Sequence, residues 1–253
     1  MSRKRRKKNA AARLRPFWVL LLLALVIVAG AGYYAVGWPG FEPKQIAVIS
    51  PPSISSSEIL QRAQISLTNN IWLQNMRAAA ARVRSIPYVL DARIHRGLPA
   101  KVSITVTART PFALLQTPSQ TVVIDRGLRV LEDAGDPPST SDTDRSSLPR
   151  FILRRGSRLR AGAFVLSSGV QRMRTDYDLL LAGHVAARTL SFDRYDQLIA
   201  TLENGVQLLL GDDAEIAKAI PQIDPILSQV KGEGRKIKAL DLRAPNTPVV
   251  VYK

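Results

Sequence analysis

The chain has 253 residues, 46% of them apolar, and carries 36 Lys and Arg against 20 Asp and Glu, a formal net charge of +16. It contains no Cys, which excludes disulfides, a thiolate metal site and a Cys nucleophile. Its two histidines, His95 and His184, sit far apart in unrelated patterns with no metal-ligand spacing.

The charge is concentrated at the start. Arg3, Lys4, Arg5, Arg6, Lys7, Lys8, Arg13 and Arg15 make residues 1–16 a basic tail, and no acid precedes Glu42. The remaining chain holds 28 basic against 20 acidic residues. That residue of charge is spread out, as in Arg82, Arg84, Arg93 and Arg96 or Arg154, Arg155, Arg158 and Arg160, and reads as a solvated basic face. The composition therefore gives no nucleic-acid footprint.

Residues 17–36 are uncharged and built around the run WVLLLLALVIV. A stretch of ~20 residues at ~1.5 Å rise spans the hydrocarbon core of a bilayer as one helix. Cationic flanks stay in the cytoplasm, so the N-terminus is expected inside and the bulk of the chain outside. Tyr33, Tyr34 and Trp38 mark the outer interface. The competing reading is a cleavable signal peptide, for which Ala29-Gly30-Ala31 offers small residues. The uncharged stretch exceeds the ~7–15 residues of a signal-peptide apolar region.

After a linker at 37–43, the alternation of Ile46 and Val48 predicts a strand over 44–49. Ser55 and Glu58 have the spacing of a capping box, opening a helix with Ile59, Leu60 and Ala63 on one face. Met76, Ala79, Ala80 and Val83 predict a second helix over 74–85. Leu90, Ala92 and Ile94, then Val102, Ile104 and Val106, predict two strands joined at Arg96–Pro99. The order β-α-α-β-β makes a three-stranded sheet covered by two helices on one face.

Beyond Arg109-Thr110-Pro111, strands are predicted at 112–116, 121–125 and 128–131. Residues 133–149, rich in Asp, Ser, Thr and Pro, read as a flexible loop. Of Asp125, Glu132, Asp133 and Asp136, most sit in a polar loop, and all four are given no acid–base role. A helix is expected over 168–182, with Val170, Met173, Tyr177, Leu180 and Leu181 on its apolar stripe. Strands follow at 189–192, 197–202 and 206–210, the last two joined by Glu203-Asn204-Gly205, where Asn-Gly suggests a type I′ turn. A helix after Asp212-Asp213 contains Ile216, Ile220 and Ile223, with Pro221 and Pro225 expected to kink or shorten it. Two strands, 238–243 and 248–252, end the chain.

Several segments carry a family resemblance. Ile86-Pro87-Tyr88-Val89-Leu90-Asp91-Ala92-Arg93-Ile94, Leu98-Pro99, Val102–Val106 and Arg109-Thr110-Pro111-Phe112-Ala113 resemble the end of a POTRA domain, and more narrowly that of the FtsQ/DivIB family of bacterial cell-division proteins. Thr121–Leu131, Leu148-Pro149 and Leu240-Asp241-Leu242-Arg243 resemble later elements of that family in the same order. Ala108, Ser50-Pro51 and Ala244 depart from its pattern.

The fold expected is α+β: a transmembrane helix, a POTRA domain at 44–110 and a β-rich domain with flanking helices at 111–253. There is no P-loop, G-x-G-x-x-G or H-E-x-x-H motif, so a non-enzymatic scaffold without cofactor or metal is expected. The resemblance implies a single-pass protein of the cytoplasmic (inner) membrane at the division septum. It further implies FtsB- and FtsL-like partners outside the membrane and links to an FtsW/FtsI-like septal synthase. The family binds a partner near its C-terminal strands, which points to Arg243, Pro248, Val249, Val250, Val251 and Tyr252. The alternative is another POTRA-type scaffold for translocation or secretion; an anchored extracytoplasmic enzyme would need a catalytic cleft.

Overall fold

The computed structural model describes residues 10–136 and 145–253. Arg3, Lys4, Arg5, Arg6, Lys7 and Lys8, and the centre of the expected loop 133–149, lie outside the described residues. Helix α1 (Ala10–Val36) includes Arg13 and Arg15 and begins before Pro16 rather than after it. Among the described residues, no helix is long and apolar enough to cross a membrane.

A 3-10 turn, Pro39–Phe41, leads into the first unit. It contains β1 (Ile46–Ile49), α2 (Ser56–Ala63), α3 (Met76–Arg84), β2 (Val89–Gly97) and β3 (Lys101–Ala108), in the predicted order. The sheet order is β1-β3-β2, with β1 parallel and β2 antiparallel to β3. Ile59 and Ala63 of α2 and Val83 of α3 pack with Ala92, Ile104 and Val106 of the sheet. Lys101, Thr105 and Thr107 face solvent on the opposite side.

Two local expectations change. Ser55 is the N-cap of α2, but its hydroxyl meets that of Ser57 (2.7 Å) and makes no capping bond. The effective cap is one helix later, where Asn75 Oδ1 accepts from the Ala78 amide at 3.0 Å. In β2 the register shifts between Val89 and Asp91, so Val89 is buried and Leu90 exposed. A bulge of this kind breaks the strict alternation on which an inward Leu90 depended.

The second unit is a nine-stranded sheet in the order β12-β11-β10-β9-β8-β7-β4-β5-β6. Its strands are β4 (Pro111–Gln116), β5 (Thr121–Asp125), β6 (Val130–Asp133), β7 (Arg150–Ile152), β8 (Ala187–Phe192), β9 (Leu198–Leu202), β10 (Gln207–Leu210), β11 (Ile237–Leu242) and β12 (Val249–Tyr252). Helices α4 (Ser168–Ala182) and α5 (Asp213–Gly232) cover one face, burying Met173, Leu180, Ile216 and Ile223 against Phe151, Leu190, Leu208 and Leu240. Leu181, expected on the apolar stripe, is exposed.

Helix α5 continues through Pro221 and Pro225 without ending. The Glu203–Gly205 loop is not a type I′ turn. Only Gly205 has positive φ (81°), its amide bonds to Leu202 O, and Val206 O accepts from the Leu202 amide. That is a three-residue hairpin loop with its left-handed position at Gly205. Strand β6 starts later than expected because Leu128, at φ 61°, belongs to the turn leaving β5.

The two units share a core. Strands β4, β5 and β6 turn Leu115, Val122 and Ile124 toward the large core, and Leu114, Val123 and Leu131 toward Ile59, Val83 and Tyr88 of the first unit. Burial on both faces explains why β4 and β5 read as unbroken apolar runs. Asp125 and Glu132, two of the four carboxylates given no acid–base role, are buried here. Asp125 accepts from Arg109 (2.5 Å) and Glu132 from Arg145 (2.6 Å), so both are structural ion pairs.

Candidate partner-docking edge

The large sheet has two edges, β6 and β12. A strand edge offers unpaired amides and carbonyls to any extended chain that reaches it. The start of the β6 edge is covered by the chain's own residues. Val130 donates to Ala163 O (2.9 Å), Gly162 to Val130 O (2.8 Å) and Val165 to Leu128 O (2.8 Å). Strand β12 pairs only with β11, and its other side is open among the described residues.

The register fixes which way β12 presents its side chains. Val250 opposes Leu240, and both turn toward the helix-covered core. Val249 opposes Asp241 and Val251 opposes Ala239 on the other face, where Val249 and Val251 are 57% and 41% exposed. The same row continues through Leu209 and Ile199, both only half-buried. Among the described residues, no helix covers this face. The Lys253 amide donates to Lys236 O (3.0 Å). By strand alternation, Val249 and Val251 also turn their backbone groups to β11, and Val250 and Tyr252 turn theirs to the open edge.

The sequence-selected residues fall into two groups. Pro248, Val249, Val250, Val251 and Tyr252 lie together on or beside the edge strand, with Val250 facing inward. Tyr252 stacks under the Arg235 guanidinium, 4.6 Å from its centre. Arg243 lies beyond the end of β11 rather than on the edge itself. It grips Asp241 through Nε (2.9 and 3.1 Å) and Nη2 (2.5 Å), while its backbone amide donates to Asp241 Oδ1 (3.1 Å). The Arg243 hydrogen bond holds the Asp241 carboxyl below its ordinary pKa, and Asp241 in turn raises that of Arg243. Leu209 and Ile199 were not singled out by sequence reasoning. Their signal was the period of two in β9 and β10, read against a sheet with only one covered face.

The β12 end of the sheet combines a free hydrogen-bonding edge, an apolar outer row and a fixed ion pair at the strand end. Among the described residues, no group of three or more His, Asp and Glu converges as a metal site would require.

Comparison with known proteins agrees with this architecture. Residues 41–109 match the family model for the POTRA domain, FtsQ-type. The chain is 25% identical to the cell division protein DivIB of Clostridium tetani over 85% of its own length and 81% of that protein. It is 25% identical to the cell division protein FtsQ of Chloroflexus aurantiacus, spanning 65% of each chain. A third relative, the cell division protein FtsQ of Novosphingobium aromaticivorans, is 31% identical over 42% of this chain and 39% of that one. With an FtsQ-type POTRA unit at its start and similarity to DivIB running on through the large sheet, the chain is similar to the FtsQ and DivIB cell-division proteins.

Proposed function

We propose that this protein is a non-catalytic, membrane-anchored scaffold of the bacterial division complex that captures a partner strand along β12. The observation that carries this reading is the asymmetry of the large sheet: residues 162–165 bond to the start of its β6 edge, and its β12 edge is open among the described residues. An extended partner segment adds there as a tenth strand, with main-chain bonds giving affinity and alternate side chains meeting Val249 and Val251. The partner class is the extracytoplasmic part of FtsB- and FtsL-like proteins, through which the scaffold influences an FtsW/FtsI-like septal synthase.

The anchor is α1. Its apolar run and the basic residues before it support a single crossing of the cytoplasmic membrane, N-terminus inside, with both folded units outside at the septum. The POTRA and β-rich domains correspond to 44–110 and 111–253, joined through the shared core rather than by a free linker.

The test is capture of FtsB- and FtsL-like extracytoplasmic segments by the full chain in detergent, beside a chain ending before Pro248. Binding by the first and loss by a still-folded second supports docking at β12. Binding that survives the truncation moves the partner site elsewhere. No binding by the full chain favours a POTRA-type scaffold of another system.

A further inference from the structure

The POTRA unit presents an unusual end to the side from which α1 arrives. In β1, Ile46 pairs with Val102 at the start of β3, so the chain enters the sheet beside the tip of the β2–β3 hairpin. The loop between α2 and α3 lies at this end too. Its Ile71 amide donates to Phe41 O (3.0 Å), and Gly37, Trp38 and Glu42 share one concavity with Thr68, Asn70 and Leu73.

That loop is stiff. Gln74 closes it from within, accepting from the Ser66 amide (2.8 Å) and donating to Ser66 O (2.9 Å) and Asn69 O (2.8 Å). Asn70 Oδ1 accepts from the Trp72 amide (2.9 Å), and Ile71 is fully buried against Met76 and Val102. The side chains on either side of this anchor point outward. Leu67, Trp72 and Leu73 are 54%, 45% and 64% exposed, and so are Trp38 on the linker and Leu98 on the hairpin tip. Arg96 lies over the Trp72 ring at 5.7 Å and donates to Gln74 O, and Lys101 follows on the hairpin.

A rigid loop that spends its polar bonds on displaying large apolar side chains is an interaction surface. Tryptophan, leucine and arginine together suit the boundary between lipid headgroups and acyl chains, where an aromatic ring has one wet and one apolar neighbour. Only the residues from Gly37 to Phe41 separate α1 from this loop, which holds the surface at the height where the helix leaves the bilayer. We infer that the membrane-proximal end of the POTRA unit is seated on the phospholipid surface, with Trp72 and Leu73 inserted at the headgroup boundary and Arg96 and Lys101 facing the phosphates. This rests on α1 being the membrane anchor. The seat fixes the orientation of both units above the membrane, because the POTRA core continues into β4, β5 and β6.

The chain's three tryptophans, Trp18, Trp38 and Trp72, allow a direct test in its own membrane. The full chain is reconstituted into vesicles of phosphatidylethanolamine and phosphatidylglycerol, with and without lipids brominated near the glycerol end of the acyl chain. In W18F/W38F only Trp72 emits, and in W38F/W72F only Trp18 does. The inference expects brominated lipid to quench Trp72 to an extent comparable with Trp18, and Leu73→Ser to restore Trp72 emission. Quenching of Trp18 without Trp72 overturns the seat and leaves the anchor standing. Absence of quenching at Trp18 overturns the anchor and the seat with it. A Trp72 shielded from aqueous acrylamide yet untouched by brominated lipid overturns the seat in favour of a protein cover, such as a second copy.

Discussion

Arg109 Nη1 donates to Asp125 Oδ2 at 2.5 Å, joining the first residue after β3 to the last residue of β5. Both side chains are nearly buried, and Arg109 Nε also donates to Val89 O (3.0 Å) while Asp125 Oδ1 accepts from the Arg129 amide (2.7 Å). Arg129 completes the junction by donating to Ser85 O (3.2 Å), although burial pulls its own pKa down. Arg109→Ala leaves the Asp125 carboxylate buried without its cation, at a cost of about 3–5 kcal/mol. Thermal unfolding should show it, and Arg109→Ala with Asp125→Ala should be less unstable than the single changes summed. Additive losses would mean that the pair is not coupled.

The Asp241–Arg243 clasp gives a pH signature at the docking end. Asp241 is held below the ~3.9 of an unfolded aspartate. Its contribution is therefore present above about pH 4 and is lost as pH falls from there toward the lower folded value. Amide exchange in β11 and β12 should speed up on acidification through that range, and Asp241→Asn should flatten the response while exchanging faster at pH 7. An acid response unchanged by Asp241→Asn would assign the effect to another group.

Gly183, capping α4, lies so close to α5 that a Cβ there would meet Ile220 Cγ2 well inside van der Waals contact. Its φ of −88° is ordinary, so the need for glycine is steric. Gly183→Ala should cost about 1–3 kcal/mol by wedging the helices apart. In an Ile220→Ala background, which lacks the Cγ2 methyl, the same change should cost less in denaturant unfolding. A stability equal to the parent would show that the helices yield freely.

At the edge, Val251→Lys places a charge on the outward face without touching the core and is expected to weaken partner binding about tenfold or more, ~1.4 kcal/mol. Val250→Asp should weaken it too, but through a side chain that packs against the main core, so unfolding of β11 and β12 accompanies the loss. Titration of each variant with the partner segment, beside its melting curve, separates the two. Unchanged affinity for Val251→Lys at full stability would remove β12 as the docking strand.

Much of this fold was legible because periodicity is local. The order β-α-α-β-β, the span of α4 and the four β12 valine and tyrosine positions all follow from short-range patterning. What stayed hidden depended on contacts distant in sequence. Asp125 and Glu132 look like ordinary carboxylates until Arg109 and Arg145 are brought to them. Leu90 looks inward until the bulge at Val89–Asp91 shifts the register. Ser55 has the right neighbours for a capping box, yet Ser57 competes for its hydroxyl at 2.7 Å. The open edge could be suspected from a late strand, but only the sheet order showed that residues 162–165 bond to the start of β6 while β12 has no second neighbour among the described residues.

That sheet order also sets a distance. The POTRA unit packs on β4, β5 and β6, at one end of a nine-stranded ladder, and β12 is at the other. With ~4.8 Å between neighbouring strands, the two ends lie about 40 Å apart along the curved sheet. A continuous hydrogen-bonded ladder resists stretching, so the molecule works as a yardstick. Under the proposed docking and seat, a partner strand on β12 would be kept at a set reach from the surface under the POTRA unit, and inserting or deleting a strand would change that reach without altering either contact.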